Sequence, residues 1–184
     1  KDDKFHRSYN EKNWRILPRQ AVHDSSSVTY PVFTAIAAHE VQNKLNGDFV
    51  IIAGPYLQNL ATGGCELDYT LTFVSEKFIS MVFFGVLDEG EKEIFAKIPL
   101  NIDVQTGAQL ALGDVLNLRD ADLLPVLRLL TKKDKVDFSK GIPESWYYNG
   151  TNFVFCQRSE TGEWLEATVA ASDLKKFLLK PELF

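Results

Sequence analysis

The fold is decided by residues 101–116, which read NIDVQTGAQLALGDVL. In this segment a short acceptor side chain, Asp103, stands before Thr106 and Gly107. This spacing is typical of a turn in which a carboxylate accepts backbone N–H groups and glycine supplies a positive φ. The segment therefore predicts the end of a strand, a tight turn and a return to the core through the leucines that follow.

The composition is that of an ordinary globular domain. Of the 184 residues 45% are hydrophobic, and the 13 Phe, 6 Tyr and 3 Trp favour a sheet-rich core. A chain of this length buries roughly 70% of the surface that its unfolded form exposes. The formal net charge of −5 repels a phosphate backbone, so it argues against nucleic-acid binding and favours a cationic partner. No run of residues approaches the ~20 apolar positions of a transmembrane helix.

The centre of the chain has the pattern of a β-meander. Apolar and polar residues alternate over residues 67–73, which predicts a strand with one buried and one solvated face. Residues 78–86 are apolar at nearly every position, so we expect an inner strand that is covered on both faces. Residues 94–104 predict the next strand. Further along, Asn149-Gly150 between two aromatic runs predicts a tight hairpin.

Helical spacing occurs in four places. The main amphipathic helix is predicted over residues 33–46, because apolar residues recur at helical intervals and Asn46-Gly47 is a typical helix end. Three short helices are also predicted. The first spans residues 115–118 and is capped by Asp114. The second is a leucine-rich helix at residues 123–130, capped by Asp120 or Asp122, and the third spans residues 174–179 and is capped by Ser172.

Residues 1–12 are polar and charged and are predicted to form a tether, followed by a single α+β domain over residues 13–184. Residues 14–17 and 27–30 predict a first hairpin, and Pro18 places its first strand at a sheet edge. The predicted fold class is thus α+β, with an antiparallel β-meander sheet packed against one main amphipathic helix and with short extra helices.

Several of these segments, in this order, resemble one bacterial family. The carriers are the Tyr30-Pro31 entry to the predicted helix, the strands LDYTLTF (67–73) and FISMVF (78–83), NIDVQTG (101–107), and the closing SDLK (172–175). The chain is similar over about residues 28–180 to the domain-of-unknown-function family shared by the anti-sigma factor RsiV and the non-catalytic N-terminal part of the peptidoglycan deacetylase PdaC.

The resemblance implies a sensing or binding domain of the bacterial cell envelope that works outside the cytoplasmic membrane, either secreted or anchored there as a lipoprotein. It implies no catalytic residues, and its RsiV-like members bind lysozyme as a signal. Many relatives carry a small-residue loop ending in His between the two central strands. This chain has LDEGEKE at residues 87–93 instead, so a role of that His is not implied.

Two places are candidates for ligand binding. The carboxylates of Asp88, Glu89, Glu91 and Glu93 crowd one turn, which is typical of a solvated hairpin end and also suits capture of a basic protein such as lysozyme. Oxygen ligands could also hold a cation such as calcium, but the spacing does not match a 12-residue calcium loop. In the last hairpin, the rings of Trp146 and Tyr148 could stack on a cell-wall glycan or pack into the core.

Catalytic patterns are weak, and a cell-wall hydrolase or esterase is the alternative to a binding domain. Cys65 and His39 could form a thiol–imidazole pair. Ser172 and Lys175 match the Ser-x-x-Lys of penicillin-binding enzymes, but the companion motifs of that class are absent. No cofactor or metal site is predicted, because the three histidines lack ligand spacing and no phosphate-binding glycine loop is present.

The two cysteines leave two interpretations open. In an oxidising compartment Cys65 and Cys156 could pair, and closing so long a loop would stabilise the fold by about 4 to 5 kcal/mol in the chain-entropy model. Both positions also suit small hydrophobic residues in buried strands.

Overall fold

A computed structural model describes residues 5–184 of the chain. It contains a six-stranded sheet, a three-stranded sheet and one long helix, α1, so the α+β class is confirmed. The elements of the first half are β1 Tyr9–Asn10, β2 Arg15–His23, β3 Ser26–Thr34, α1 His39–Gln58, β4 Cys65–Val74, β5 Phe78–Asp88 and β6 Glu93–Asp103. Those of the second half are α2 Leu112–Val115, α3 Leu123–Leu130, β7 Ser145–Tyr148, β8 Asn152–Arg158 and β9 Trp164–Ala170.

The large sheet has its strands in chain order, and all neighbours are antiparallel except β3 and β4. These two strands are parallel because α1 carries the chain back across the sheet between them. Their ladder is short, with Ser27 opposite Glu66 and Val28 opposite Leu67. The meander predicted for β4, β5 and β6 is confirmed.

The predicted burial of the central strands is confirmed for most positions. Phe73 of β4 is partly exposed, and cover on both faces of β5 extends over residues 78–83 but not to Phe84 and Val86. In β4, Leu67, Tyr69 and Leu71 are buried, and the polar residues between them are partly exposed. The strand β5 lies between β4 and β6, and its residues 78–83 are all buried. One face of β5 packs against α1, where Phe83 contacts Phe49, and the other face supports the second sheet.

The position predicted for the main helix is wrong. Phe33 belongs to β3, and α1 begins only at His39 and continues through Asn46-Gly47 to Gln58. The Asn46 side chain accepts a hydrogen bond from the Phe33 N–H (2.8 Å) and donates one to the Phe33 carbonyl (3.0 Å). Asn46 therefore ties the helix to β3 instead of ending the helix. The amphipathic character is confirmed, since Leu45, Phe49, Ala53 and Tyr56 form one buried stripe.

The tether prediction is wrong for residues 5–10, and residues 1–4 lie outside the described part. Tyr9 pairs with Ile16, and the His6 carbonyl accepts a hydrogen bond from the Leu71 N–H (2.7 Å). Arg7 forms an ion pair with Asp68. Residues 5–10 therefore cover the part of β4 that lies beyond the short ladder between β3 and β4. The first hairpin is confirmed. The short strand β1 pairs with β2 at Arg15 and Ile16, so β2 is still the edge strand at Pro18.

The turn in residues 101–116 is confirmed. The Asp103 carboxylate accepts hydrogen bonds from the N–H groups of Gln105 (2.9 Å) and Thr106 (3.2 Å), and Gly107 has a φ of 72°. Leu110 and Leu112 then enter the second core. Asp114 does not cap a following helix as predicted. Its carboxylate accepts a hydrogen bond from the Ala111 N–H (2.8 Å) at the start of α2, so the helix begins earlier.

The three-stranded sheet packs against the face of the large sheet that α1 leaves free. Its core contains Phe78 of β5, which stacks on Trp146 of β7 with ring centroids 6.2 Å apart. Two buried polar residues join the sheets. Asn101 donates to the Trp146 carbonyl (2.8 Å), and Ser80 accepts from the Tyr148 N–H (2.8 Å).

The other predicted elements of the second half are largely confirmed. The Asn149-Gly150 hairpin joins β7 to β8, with a φ of 94° at Gly150. The leucine-rich helix is α3, although neither Asp120 nor Asp122 caps it through a side-chain hydrogen bond. The helix predicted at 174–179 is a 3₁₀ segment, Ala171–Phe177, that Ser172 does not cap.

Candidate functional site

A groove of about 430 Å³ lies on the large sheet, on the face opposite α1. We call it the sheet groove. Its walls come from the N-terminal segment, from β4, β5 and β6, and from the turn between β8 and β9. The residues that line it include Phe5, Phe84, Val86, Phe95, Lys97 and Trp164. The groove exists because the second sheet covers only one end of this face.

Strand register brings the acidic turn to the mouth of the groove. Val86 lies opposite Phe95 in the β5–β6 ladder, and Asp88 lies opposite Glu93 two residues further along. Side chains two residues apart share a face of a strand, so Asp88 and Glu93 lie on the same face as Val86 and Phe95. The predicted acidic site therefore adjoins an apolar surface that sequence reasoning did not find.

The acidic turn is a well-defined hairpin end, which we call the acidic hairpin (residues 88–93). The Asp88 carboxylate accepts a hydrogen bond from the Gly90 N–H (2.8 Å), and Gly90 has a φ of 91°. The Glu89 N–H donates to the Lys92 carbonyl (2.9 Å). All four predicted acidic residues of this hairpin are exposed and available to a partner.

The inner end of the groove holds an internal ion pair. Lys97 pairs with Glu166 of β9, and its ammonium lies 5.5 to 5.8 Å from the ring centroids of Phe84, Tyr147 and Trp164. Tyr147 donates a hydrogen bond to the other Glu166 oxygen (3.1 Å). Burial, followed by the charge of Glu166, raises the pKa of Tyr147, so the phenol stays protonated at neutral pH. Lys97 thus has its counter-ion within the protein.

The glycan-stacking role considered for Trp146 and Tyr148 is not compatible with their burial. Their exposed fractions are 2% and 4%, and both rings pack against Phe153. Strand alternation turns these two rings into the core between the sheets, as the core-packing interpretation predicted. Trp146 and Tyr148 are therefore core residues, although Tyr148 also lines a second cavity.

The thiol–imidazole pair is also ruled out by position. His39 is exposed at the first residue of α1, whereas the Cys65 thiol lies at the other end of the helix, 3.2 Å from the Tyr56 carbonyl. Tyr56 lies 17 positions after His39 in α1, which corresponds to about 25 Å along the helix. Cys65 and Cys156 are free and buried, so they form no disulfide bond.

Both thiols are expected to be unreactive in the folded protein. Burial raises the pKa of Cys156 to about 12, with a smaller contribution from Glu166. Because the folded-state pKa lies above the ordinary value of about 8.5, this group stabilises the fold below that value and loses the contribution as pH rises towards 12. We expect Ellman's reagent at about pH 8 to label neither cysteine until denaturant is added. Fast labelling of Cys156 without denaturant would contradict this.

Ser172 and Lys175 line another cavity of about 440 Å³, together with Tyr148 and Phe184. Both are exposed residues of the 3₁₀ segment. Within residues 5–184, no group of three His, Cys, Asp or Glu side chains is placed to hold a metal ion. The same residues include no helix with the length and apolar character needed to cross a membrane.

Sequence reasoning found the acidic hairpin but missed most of the groove. The sequence predicts that Phe84 and Phe95 lie in strands, but not which face of the sheet each occupies, because residues 78–86 are apolar at almost every position. The signal that was present is Phe95 and Lys97 in alternation after the turn, which places both on one face. Phe5 falls within the predicted tether, whereas in the structure its ring lies against Phe84, with 5.7 Å between centroids.

Two solved structures are similar to this one over nearly the whole chain. A DUF3298 family protein from Bacteroides fragilis has a TM-score of 0.63 at 11% identity, over 94% of this chain and 95% of that one. A DUF3298 family protein from Pseudomonas aeruginosa has a TM-score of 0.59 at 11% identity, over 95% and 97%. No family model and no curated protein match the sequence. The chain thus shares the fold of these structures from a family of domains of unknown function.

Proposed function

We propose that this chain is a non-enzymatic binding or sensing domain of the bacterial cell envelope, working outside the cytoplasmic membrane, and that it captures a basic protein. The observation that carries the proposal is the acidic hairpin. Four exposed carboxylates lie at one strand connection, and Asp88 and Glu93 share a sheet face with the groove residues Val86 and Phe95.

The electrostatics support a cationic partner. The chain has a formal net charge of −5, and the hairpin concentrates negative charge at one end of the large sheet. Such a field increases the rate at which basic proteins associate, and the effect weakens with salt. The sheet groove next to the hairpin also presents apolar surface that a partner can bury.

The sequence resemblance to the RsiV and PdaC family supports the envelope location and makes lysozyme the first partner to test. A cell-wall glycan is a second possible ligand. A hydrolase or esterase is the alternative function, but no observation favours it: the exposed Ser172 and Lys175 have no hydrogen bond to each other among those found in residues 5–184.

Calorimetric titration with hen lysozyme tests the proposal. We expect heat of binding at an ionic strength of about 0.01 M, where charges act over about 30 Å, and weaker binding at about 0.15 M, where they act over about 8 Å. The variant Glu89→Lys with Glu91→Lys should lose at least about tenfold in affinity, because attraction becomes repulsion at the contact.

The matched control is Glu76→Lys with Glu182→Lys, which changes the net charge equally at exposed positions outside the hairpin. It should bind lysozyme more tightly than the hairpin variant does. An equal loss of lysozyme affinity in both variants would mean that the net charge of the protein, and not the hairpin, determines binding. No heat with the unaltered protein at lysozyme concentrations up to about 1 mM would remove lysozyme as the partner.

A further inference from the structure

We propose that the sheet groove receives an apolar side chain from an extended basic segment of the partner, whose lysine or arginine residues then reach the acidic hairpin. This inference rests on the proposed capture of a basic protein. It adds which chemical pattern is recognised and where each part of the pattern binds.

The groove presents apolar surface that the fold does not use. Phe95 is 59% exposed although it follows the hairpin in a regular strand, and Phe84 and Val86 beside it are only partly buried. The volume of about 430 Å³ lies within the range of about 300 to 1,000 Å³ that is usual for ligand sites. An apolar side chain placed there would leave water and cover Phe95.

Strand geometry relates the groove to the carboxylates. The pair Val86 and Phe95 lies two residues from the pair Asp88 and Glu93, which is about 7 Å along the strands. An extended peptide rises by nearly the same distance per residue. Consider a peptide that runs along the strands with its apolar side chain, at position i, beside Phe95. The side chain at position i+2 then lies beside Asp88 and Glu93, and the side chain at i+4 lies over the tip of the hairpin.

The charges around the groove favour a basic segment over an acidic one. Glu66 of β4 lines the groove opposite Val86, on the side away from β6. Among the described residues that line the groove, Lys97 pairs with Glu166, whereas Arg158 donates to the Phe95 carbonyl and keeps its charge. The preference for a basic segment therefore comes from Glu66 and from the acidic hairpin beside the groove.

Three short synthetic peptides test the pattern with the unaltered protein. The first has the sequence Phe-Thr-Lys-Thr-Lys with blocked ends, the second has Ser for Phe, and the third has Glu for both Lys. In nitrogen-edited NMR spectra, the first peptide should shift the indole N–H signal of Trp164 in the groove and the amide signals of the hairpin. The buried indoles of Trp14 and Trp146 serve as internal controls. The second and third peptides should bind at least about tenfold more weakly.

Protein variants locate the apolar contact. Phe95→Ser should weaken the binding of the first peptide and of lysozyme at least about tenfold. The control is Ile51→Ser, at a position of α1 that is 74% exposed on the other side of the molecule, and it should weaken the binding of neither ligand. Equal binding of the Phe and Ser peptides, or lysozyme binding unchanged in Phe95→Ser, would overturn the groove inference.

The outcomes separate the two proposals. Lysozyme binding that depends on Glu89 and Glu91 but not on Phe95 would leave the proposed function standing and reject the groove. A Trp164 shift caused by a chitin tetrasaccharide and not by the first peptide would reject the basic segment and identify a glycan groove. Binding of lysozyme that depends on neither site would reject both proposals.

Discussion

Replacement of Asn101 by alanine should lower the free energy of unfolding by about 3 kcal/mol, because it removes the acceptor of the buried Ser80 hydroxyl and the donor to the Trp146 carbonyl. Asn101 accepts a hydrogen bond from the Ser80 hydroxyl (2.7 Å) and donates one to the Trp146 carbonyl (2.8 Å). Both side chains lie between the two sheets, and Asn101 is only 4% exposed.

Urea unfolding of the variant measures this effect. Asn59→Ala is the control, since Asn59 makes an exposed hydrogen bond to the Pro55 carbonyl and its loss should change stability by no more than about 0.5 kcal/mol. Ser80→Ala should be costly alone, but it should add little to Asn101→Ala, because both residues belong to one network. A loss below about 1 kcal/mol for Asn101→Ala would show that this network does not hold the sheets together.

Replacement of Gly85 by alanine should destabilise the protein by at least about 2 kcal/mol, because a methyl group has no room there. A Cβ atom at Gly85 would lie 1.9 Å from the Tyr56 hydroxyl oxygen and 2.3 Å from Cζ. Tyr56 is buried on α1, so its ring can move only if the helix shifts away from β5. The close contact between helix and sheet thus depends on glycine at this position.

A double-mutant cycle tests the cause. Tyr56→Leu removes the ring, and Gly85→Ala in that background should cost much less than in the unaltered protein. The control is Gly47→Ala on the exposed face of α1, where a methyl group meets nothing and helix propensity should add up to about 1 kcal/mol. If Gly85→Ala proves as harmless as Gly47→Ala, α1 and β5 are not in close contact at Gly85 and Tyr56.

The acidic hairpin and the neighbouring groove differ in how far they could be predicted. The hairpin was found because charge and turn residues are local signals, and a run such as DEGEKE has few alternatives to a solvated strand connection. The groove depends on β5–β6 register, on the partial cover that the second sheet gives, and on Phe5 crossing from a distant part of the chain. None of these is a property of neighbouring residues.

The sequence by itself determined the turn at Asp103, Thr106 and Gly107, the alternation in β4, the apolar centre β5 and the hairpin at Asn149-Gly150. In each case the deciding interaction lies within a few residues, so composition and period suffice. Only the tertiary structure decided where α1 begins, because the spacing of Phe33 fits both a strand and a helix. Asn46 resolves the choice through hydrogen bonds to a residue 13 positions away. The tertiary structure also decided which aromatic rings are buried, since Trp146 packs into the second core whereas Phe95 stays 59% exposed.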